Sequence, residues 1–208
     1  MIPVIALVGR PNVGKSTLFN ALTGSNQQVG NWSGVTVEKK TGQFALQGTD
    51  VFLTDLPGIY DLLPAGNSCD CSLDEQIAQQ YLADQPIDGI INLVDATNIE
   101  RHLYLTVQLR ELGIPLVVVL NKIDAAISRG IHIDVAQMSK ELGCPVVAIS
   151  AQNKNALIQI EQKLLQLSDS IGADTSVKSE QPQHSIQESS PSIQARQDYV
   201  ADILSRVS

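Results

Sequence analysis

Three short stretches of this 208-residue chain place glycine and polar side chains where an anionic, phosphate-bearing ligand would need them. The first is Gly9-Arg-Pro-Asn-Val-Gly14-Lys15-Ser16, which fits G-x-x-x-x-G-K-[ST], follows a strand-like apolar run and opens a helical pattern. Glycines let such a loop turn so that consecutive N–H groups face phosphate oxygens, backed by a helix N-terminus. The binding set expected here is Gly9, Asn12, Val13, Gly14, Lys15, Ser16 and Thr17. Lys15 is expected to reach the β- and γ-phosphates, and the Ser16 hydroxyl to ligate Mg²⁺.

The second stretch is Asn121-Lys122-Ile123-Asp124, at the end of the run LVVVL. A carboxylate at Asp124 can accept two hydrogen bonds, from N1–H and the 2-amino group of guanine. Adenine lacks that pair of donors and would leave a charge unpaired. Asn121 is expected to tie this loop to the first one, and the stem of Lys122 to cover one face of the base. Ser150-Ala151, after the next strand, would complete the pocket with backbone N–H groups.

The third is Asp55-Leu-Pro-Gly58, after VFLT. Asp55 would hold Mg²⁺ through a water and the Gly58 N–H would sense the γ-phosphate. A threonine between the first loop and this one should complete the metal shell in the triphosphate state. Thr41 and Thr49 fall at strand edges, where β-branched residues are expected anyway, so Thr36, in GNWSGVTVE, is the candidate. Lys15, Thr36 and Gly58 are the catalytic residues that these motifs offer. Ras-type GTPases carry a water-orienting glutamine just after the D-x-x-G glycine; here that position is Ile59, which has no polar atom to offer.

The elements that must carry these loops alternate. Strands are predicted at Ile2–Val8, Gln43–Leu46, Val51–Thr54, Gly89–Val94, Pro115–Leu120 and Val146–Ile149. Helices are predicted at Lys15–Thr23, Ser72–Ala83, Arg101–Leu112, Asp134–Leu142 and Asn155–Leu167, with Ser72 and Glu75 forming a capping box. Such alternation argues for βαβ units and a mostly parallel sheet, with one antiparallel hairpin early on. The fold class expected is therefore α/β, a Ras-like P-loop GTPase with six strands flanked by helices. The organisation reads as a GTP-binding G domain over residues 1–167, a polar Ser/Gln/Asp-rich linker over 168–192 and a helical segment over 193–208. In that last segment Ile193, Tyr199, Val200, Ile203, Leu204 and Val207 have the spacing to dock.

Bulk composition narrows the function classes. The formal net charge of −8 and the absence of any Lys/Arg run argue against a basic nucleic-acid or membrane face. The 43% apolar and 4% aromatic content suits a Val/Ile/Leu/Ala core. No basic leader with a small-residue cleavage site opens the chain, and no apolar run approaches the ~18 residues of a membrane span. The expectation is a soluble intracellular piece. Cys69 and Cys71 read as solvent-facing loop thiols and Cys144 as a small buried hydrophobe. His102 is expected on a helix surface, with His132 and His184 isolated and without function. Trp32, the only tryptophan, has polar neighbours and reads as exposed in a mobile loop.

QQVGNWSGVTVEKKTG, DLPGIYDL, SLDEQIA and LVDATNIERHLYLTVQLRELGIPLVVVLNKIDAA together resemble the cytosolic G domain of the bacterial ferrous iron transport protein B (FeoB) family, over roughly residues 1–165. The resemblance implies GTP and GDP as ligands, Mg²⁺ as cofactor, and slow hydrolysis that regulates or gates Fe²⁺ uptake. It implies a membrane permease as the rest of the full-length protein, at the cytoplasmic face of the inner membrane. It also implies a helical regulatory domain acting on nucleotide release, of which only the IQARQDYVADILSRV end is recognisable, and through which a homo-oligomer would form. Similar GTPases with an apolar residue after D-x-x-G do hydrolyse GTP, several of them activated by potassium. They carry an asparagine at the place of Asn12, so Asn12 is the implied K⁺ ligand, with switch-loop carbonyls near Gly30–Trp32 closing the shell and Ile59 pointing away. A ribosome-assembly or tRNA-modification GTPase is the runner-up, disfavoured by the acidic balance.

Overall fold

A computed structural model describes residues 3–62, 71–150, 156–172 and 192–207. The strands are β1 (Val4–Gly9), β2 (Gln27–Asn31), β3 (Glu38–Leu46), β4 (Thr49–Asp55), β5 (Gly89–Asp95), β6 (Leu116–Asn121) and β7 (Val146–Ala148). The helices are α1 (Lys15–Thr23), α2 (Leu73–Asp84), α3 (Ile99–Glu111), α4 (Ile123–Ser128), α5 (Val135–Leu142), α6 (Ala156–Gly172) and α7 (Ile193–Val207), with a single 3₁₀ turn at Ala96–Asn98.

One sheet runs in the order β2-β3-β4-β1-β5-β6-β7. β4, β1, β5, β6 and β7 are mutually parallel, and the β2–β3 and β3–β4 pairs are antiparallel. The sheet thus has seven strands where the sequence predicts six. The extra one, β2, is the polar, mostly exposed QQVGN at the sheet edge, which carries no apolar alternation to betray it. The central strands β1, β5 and β6 are buried almost throughout, as expected when helices cover both faces.

Period-two alternation sends β1 side chains to two cores. Ala6 and Val8 face the side covered by α2, α3, α5 and α7, whereas Ile5 and Leu7 face α1 and α6. Ser72 and Glu75 form the expected capping box, so α2 starts at a defined place beside the phosphate loop. Asp134 caps α5, and Gly143 closes it at φ 62°.

α6 reaches Gly172, five residues into the stretch read as linker; residues 173–191 lie outside the described part. α7 docks on the α3–α5 face through Val200, Ile203 and Val207. Ile193, expected to dock, is 38% exposed instead, and the buried residue of that turn is Arg196. Arg196 donates from Nε and Nη2 to both Glu111 carboxylate oxygens at 2.9 and 2.7 Å. Tyr199 Oη accepts from Arg110 and donates to the Glu141 carbonyl, each at 2.9 Å.

Candidate nucleotide site

The first loop leaves β1 at Gly9 and enters α1 at Lys15. Two of its residues are left-handed, Asn12 at φ 62° and Gly14 at φ 100°. A Cβ on Gly9 would meet the Leu93 carbonyl oxygen of β5 at 2.7 Å, and one on Gly14 would meet Asn121 Nδ2 at 2.6 Å. Both glycines are thus required by close approach, and Gly14 by its backbone angle as well. The loop rims a cavity of about 400 Å³ lined by Arg10, Pro11, Asn12, Gly14, Lys15, Ser16, Thr17, Gly58 and Asp74. Asn12, Ser16 and Thr17 are open to solvent, while Val13 is buried and anchors the loop in the α1–α6 core.

Lys15 Nζ lies 2.9 Å from Asp55 Oδ1, and both groups are largely buried. The cation expected to meet phosphate and the carboxylate expected to face a metal therefore converge at one point, at the end of β4. The Ser16 hydroxyl, which lines the cavity, and the Asp55 carboxylate are both oxygen donors, the kind that suits a hard cation such as Mg²⁺. Thr36 sits on the bend between β2 and β3, exposed, and its hydroxyl has no hydrogen-bond partner among the described residues. Thr36 is not among the residues that line the cavity. Gly58 lies against Pro11, where a Cβ would be 3.1 Å from three of the proline atoms. Ile59 is fully buried in the core with Leu56 and Leu62, and its N–H donates to the Gly9 carbonyl at 3.2 Å.

The second half of the site is built from the ends of β5, β6 and β7. Asn121 Nδ2 donates to the Val13 carbonyl oxygen at 2.9 Å, and its Oδ1 accepts from the Lys122 N–H at 2.8 Å. Lys122 is left-handed, at φ 61°, and its Nζ reaches Asp95 Oδ2 at 2.7 Å. Burial works against ionisation of Asp95, but hydrogen bonds from Lys122 and Thr97 outweigh it and hold the carboxyl below its ordinary range. Asp124 is exposed in the first turn of α4, and Ser150 is half-buried just past β7. Ala151 lies outside the described residues.

Two neighbours escape a reading of the sequence. Arg10 donates from Nη1 to the Arg101 carbonyl at 2.6 Å and lies 4.9 Å over the Tyr60 ring. His102 is buried, not exposed as expected, and its Nδ1 faces the Asp95 N–H at 3.4 Å. Burial and the nearby Arg10 charge push its pKa down to about 4, so the ring is neutral near pH 7. Helical spacing alone does not reveal this, because Arg10 arrives from the phosphate loop and the Asp95 N–H from the end of β5.

Trp32 also departs from its expected place. It is 8% exposed and packs edge-on against Tyr81 of α2, ring centroids 5.3 Å apart, with Lys39 Nζ 4.8 Å above it. Its Nε1 is buried with no hydrogen-bond partner among the described residues. Cys71 is half-buried rather than solvent-facing, and its sulfur accepts a weak hydrogen bond from Gln79 at 4.0 Å. Cys144, expected to be buried, is only half-buried at the edge of the core, and burial raises its thiol to about 11. Cys69 and His184 lie outside the described residues. No group of three or more His, Cys, Asp or Glu side chains among the described residues could hold a metal. No described helix is long and apolar enough to cross a membrane.

Comparison with known proteins bears on the family and the fold. The family model for ferrous iron transport protein B matches residues 3–164. The Fe(2+) transporter FeoB of Legionella pneumophila (strain Paris) is 53% identical over 165 residues, which is 79% of this chain and 22% of that protein. The chain thus spans about a fifth of the length of that relative. The cytosolic domain of L. pneumophila FeoB superimposes with a TM-score of 0.72 at 51% identity, covering 79% of this chain and 68% of that one. The cytosolic domain of the T. maritima FeoB iron transporter, in a GDP form, does so with a TM-score of 0.71 at 42% identity, covering 80% and 63%. With more than three quarters of its length matched and its phosphate loop, D-x-x-G turn and N-K-x-D turn joined in one site, the chain belongs to the ferrous iron transport protein B (FeoB) family and carries that family's G domain.

Proposed function

We propose that this chain binds guanine nucleotides and hydrolyses GTP as a slow switch that regulates or gates Fe²⁺ uptake by a membrane permease belonging to the same full-length protein. The observation that carries the reading is the Asn121–Val13 hydrogen bond. It locks the loop that would read the base to the loop that would cradle the phosphates, at 2.9 Å. Asp124 then supplies the carboxylate that selects guanine, Lys122 covers the base, and the Ser150 and Ala151 backbone closes the pocket.

On the phosphate side, main-chain N–H groups from Asn12 to Thr17 cradle the β-phosphate and Lys15 turns from Asp55 towards the γ-phosphate. Mg²⁺, when bound by Ser16, Thr36 and, through water, Asp55, supplies charge neutralisation on the phosphates. Thr36 must swing in from its exposed bend to join that set, which makes the β2–β3 loop the nucleotide-sensing element. Asn12 lines the cavity, and its side-chain amide oxygen would take a K⁺ ion beside the phosphates.

Acidic composition and family membership weigh against the ribosome-assembly or tRNA-modification alternative. The direct test measures GTP, GDP, ATP and XTP affinity for wild type and Asp124→Asn, and turnover in KCl against NaCl for wild type and Asn12→Ala. Guanine preference that moves towards xanthine in Asp124→Asn, and K⁺-stimulated turnover lost in Asn12→Ala, are expected. Equal binding of adenine and guanine nucleotides would end the reading. Equal rates in both salts would remove its potassium part.

A further inference from the structure

Leu62 is gripped by its backbone from two helices. Its N–H donates to Gln108 Oε1 of α3 at 2.9 Å, and its carbonyl accepts from Gln79 Nε2 of α2 at 2.6 Å. Gln108 also donates from Nε2 to Asp61 Oδ1. Gln108 is 0% exposed, in the last turn of α3. A buried primary amide is costly to desolvate unless its polar atoms find partners, and Leu or Met would fill that volume without the cost. Two bonds of this amide go to the segment after D-x-x-G, at Asp61 and Leu62.

The same loop is pinned at two earlier points. The Leu56 N–H donates to the Leu7 carbonyl at 3.1 Å and the Ile59 N–H to the Gly9 carbonyl at 3.2 Å. Gly58 therefore lies in a segment fastened at Leu56, Ile59 and Leu62. With Ile59 buried, no side chain at that position reaches the cavity. A water held for attack on the γ-phosphate then has main-chain groups of this loop, such as the Gly58 N–H, to orient it in place of a side chain at position 59, and these orient a water only as well as the backbone itself is held.

We propose that Gln108 is a positioning residue for hydrolysis: by holding Leu62 it fixes the 55–62 loop so that main-chain groups at Gly58 do the work a glutamine after the glycine does elsewhere. Gln79 is the second half of the clamp. This rests on the GTPase reading above. Gln108 does not line the phosphate cavity, so it acts on the rate of the chemical step and not on nucleotide affinity.

The test is single-turnover GTP hydrolysis at saturating K⁺ and Mg²⁺ for wild type, Gln108→Leu, Gln79→Leu and the double variant. GTP and GDP affinities and amide hydrogen exchange over residues 58–62 are measured alongside. Gln108→Leu should slow hydrolysis about tenfold with affinity changed less than about twofold, while the Leu62 amide exchanges faster. The double variant should lose less than the product of the single losses, because both act through Leu62. A wild-type rate in Gln108→Leu, or a matched loss of rate and affinity, overturns the proposal. If Gln108→Leu does not fold, Gln79→Leu decides in its place: slower hydrolysis at unchanged affinity supports the clamp, and a wild-type rate overturns it. Wild-type protein that binds GTP and never turns it over defeats the GTPase reading itself, a result distinct from active wild type with an indifferent Gln108→Leu.

Discussion

Asn121 Nδ2 and the Val13 carbonyl oxygen are 2.9 Å apart, and this one bond joins the turn after β6 to the turn after β1. The same side chain accepts from the Lys122 N–H and packs where a Cβ on Gly14 would sit. Removing it undoes three contacts at once. Asn121→Ala should weaken both GDP and GTP binding by roughly ten- to a hundredfold, since a carbonyl and an N–H of the site are left without partners. Titration calorimetry with each nucleotide checks this. A loss confined to GTP would mean that the bond serves the γ-phosphate rather than the loop junction.

Gly14→Ala should be more damaging than a methyl group suggests. The backbone angle of φ 100° disfavours any L side chain, and the new Cβ would lie 2.6 Å from Asn121 Nδ2. The expected outcome is loss of measurable nucleotide binding and about 1–3 kcal/mol of stability, read by denaturant titration without nucleotide. Gly48→Ala, at φ 82° with open space around its Cβ, isolates the backbone contribution and should leave binding intact.

His102 gives the fold an acid sensitivity with a defined window. Its folded pKa, near 4, lies below the ordinary value of 6.5, so the unfolded chain takes up a proton first as pH falls. Between about 6.5 and 4 the unfolded state binds more protons, and stability declines on acidification. Asp95, with its carboxyl held low, adds a further loss as pH drops through the carboxylate range. Melting temperature followed from pH 7 to 4.5 should fall more steeply for wild type than for His102→Asn, which keeps an acceptor for the Asp95 N–H. Parallel slopes would remove His102 from the account.

Arg196→Ala should loosen α7. The Arg196 side chain is 4% exposed and that of its partner Glu111 23%, so the substitution leaves a part-buried carboxylate without its cation. A cost of about 2–4 kcal/mol is expected, with faster amide exchange along Ile193–Val207. Arg196→Met, which fills the space but also strands Glu111, should cost nearly as much, and adding Glu111→Gln should restore part of it. No rescue in that pair would show that packing of the aliphatic stem, not the charge pair, seats the helix.

Whatever is encoded locally is legible in the sequence. The phosphate loop can be read because its glycines, lysine and serine are contiguous and sit between a strand and a helix. The start of α2 can be read because Ser72 and Glu75 satisfy each other within one turn, at 3.2 and 3.0 Å. β2 escapes because QQVGN gets its strand conformation from pairing with Glu38–Gly42, not from its own pattern. Trp32 misleads because its neighbours in the chain are polar, while the ring it packs on, Tyr81, arrives from α2. Arg196 and His102 mislead for the same reason: the groups that make their burial tolerable, Glu111 and the Asp95 backbone, are supplied by other parts of the fold.

The placement of Trp32 makes the molecule its own optical gauge. The sole indole sits at the joint between the β2–β3 loop and α2, stacked edge-on to Tyr81 and roofed by an ammonium group. If Thr36 leaves its bend to meet a metal ion, the indole a few residues earlier on the same loop is carried with it, and emission colour and intensity change with nucleotide state. A stopped-flow trace at the tryptophan wavelength would then time the movement of this loop without any attached dye.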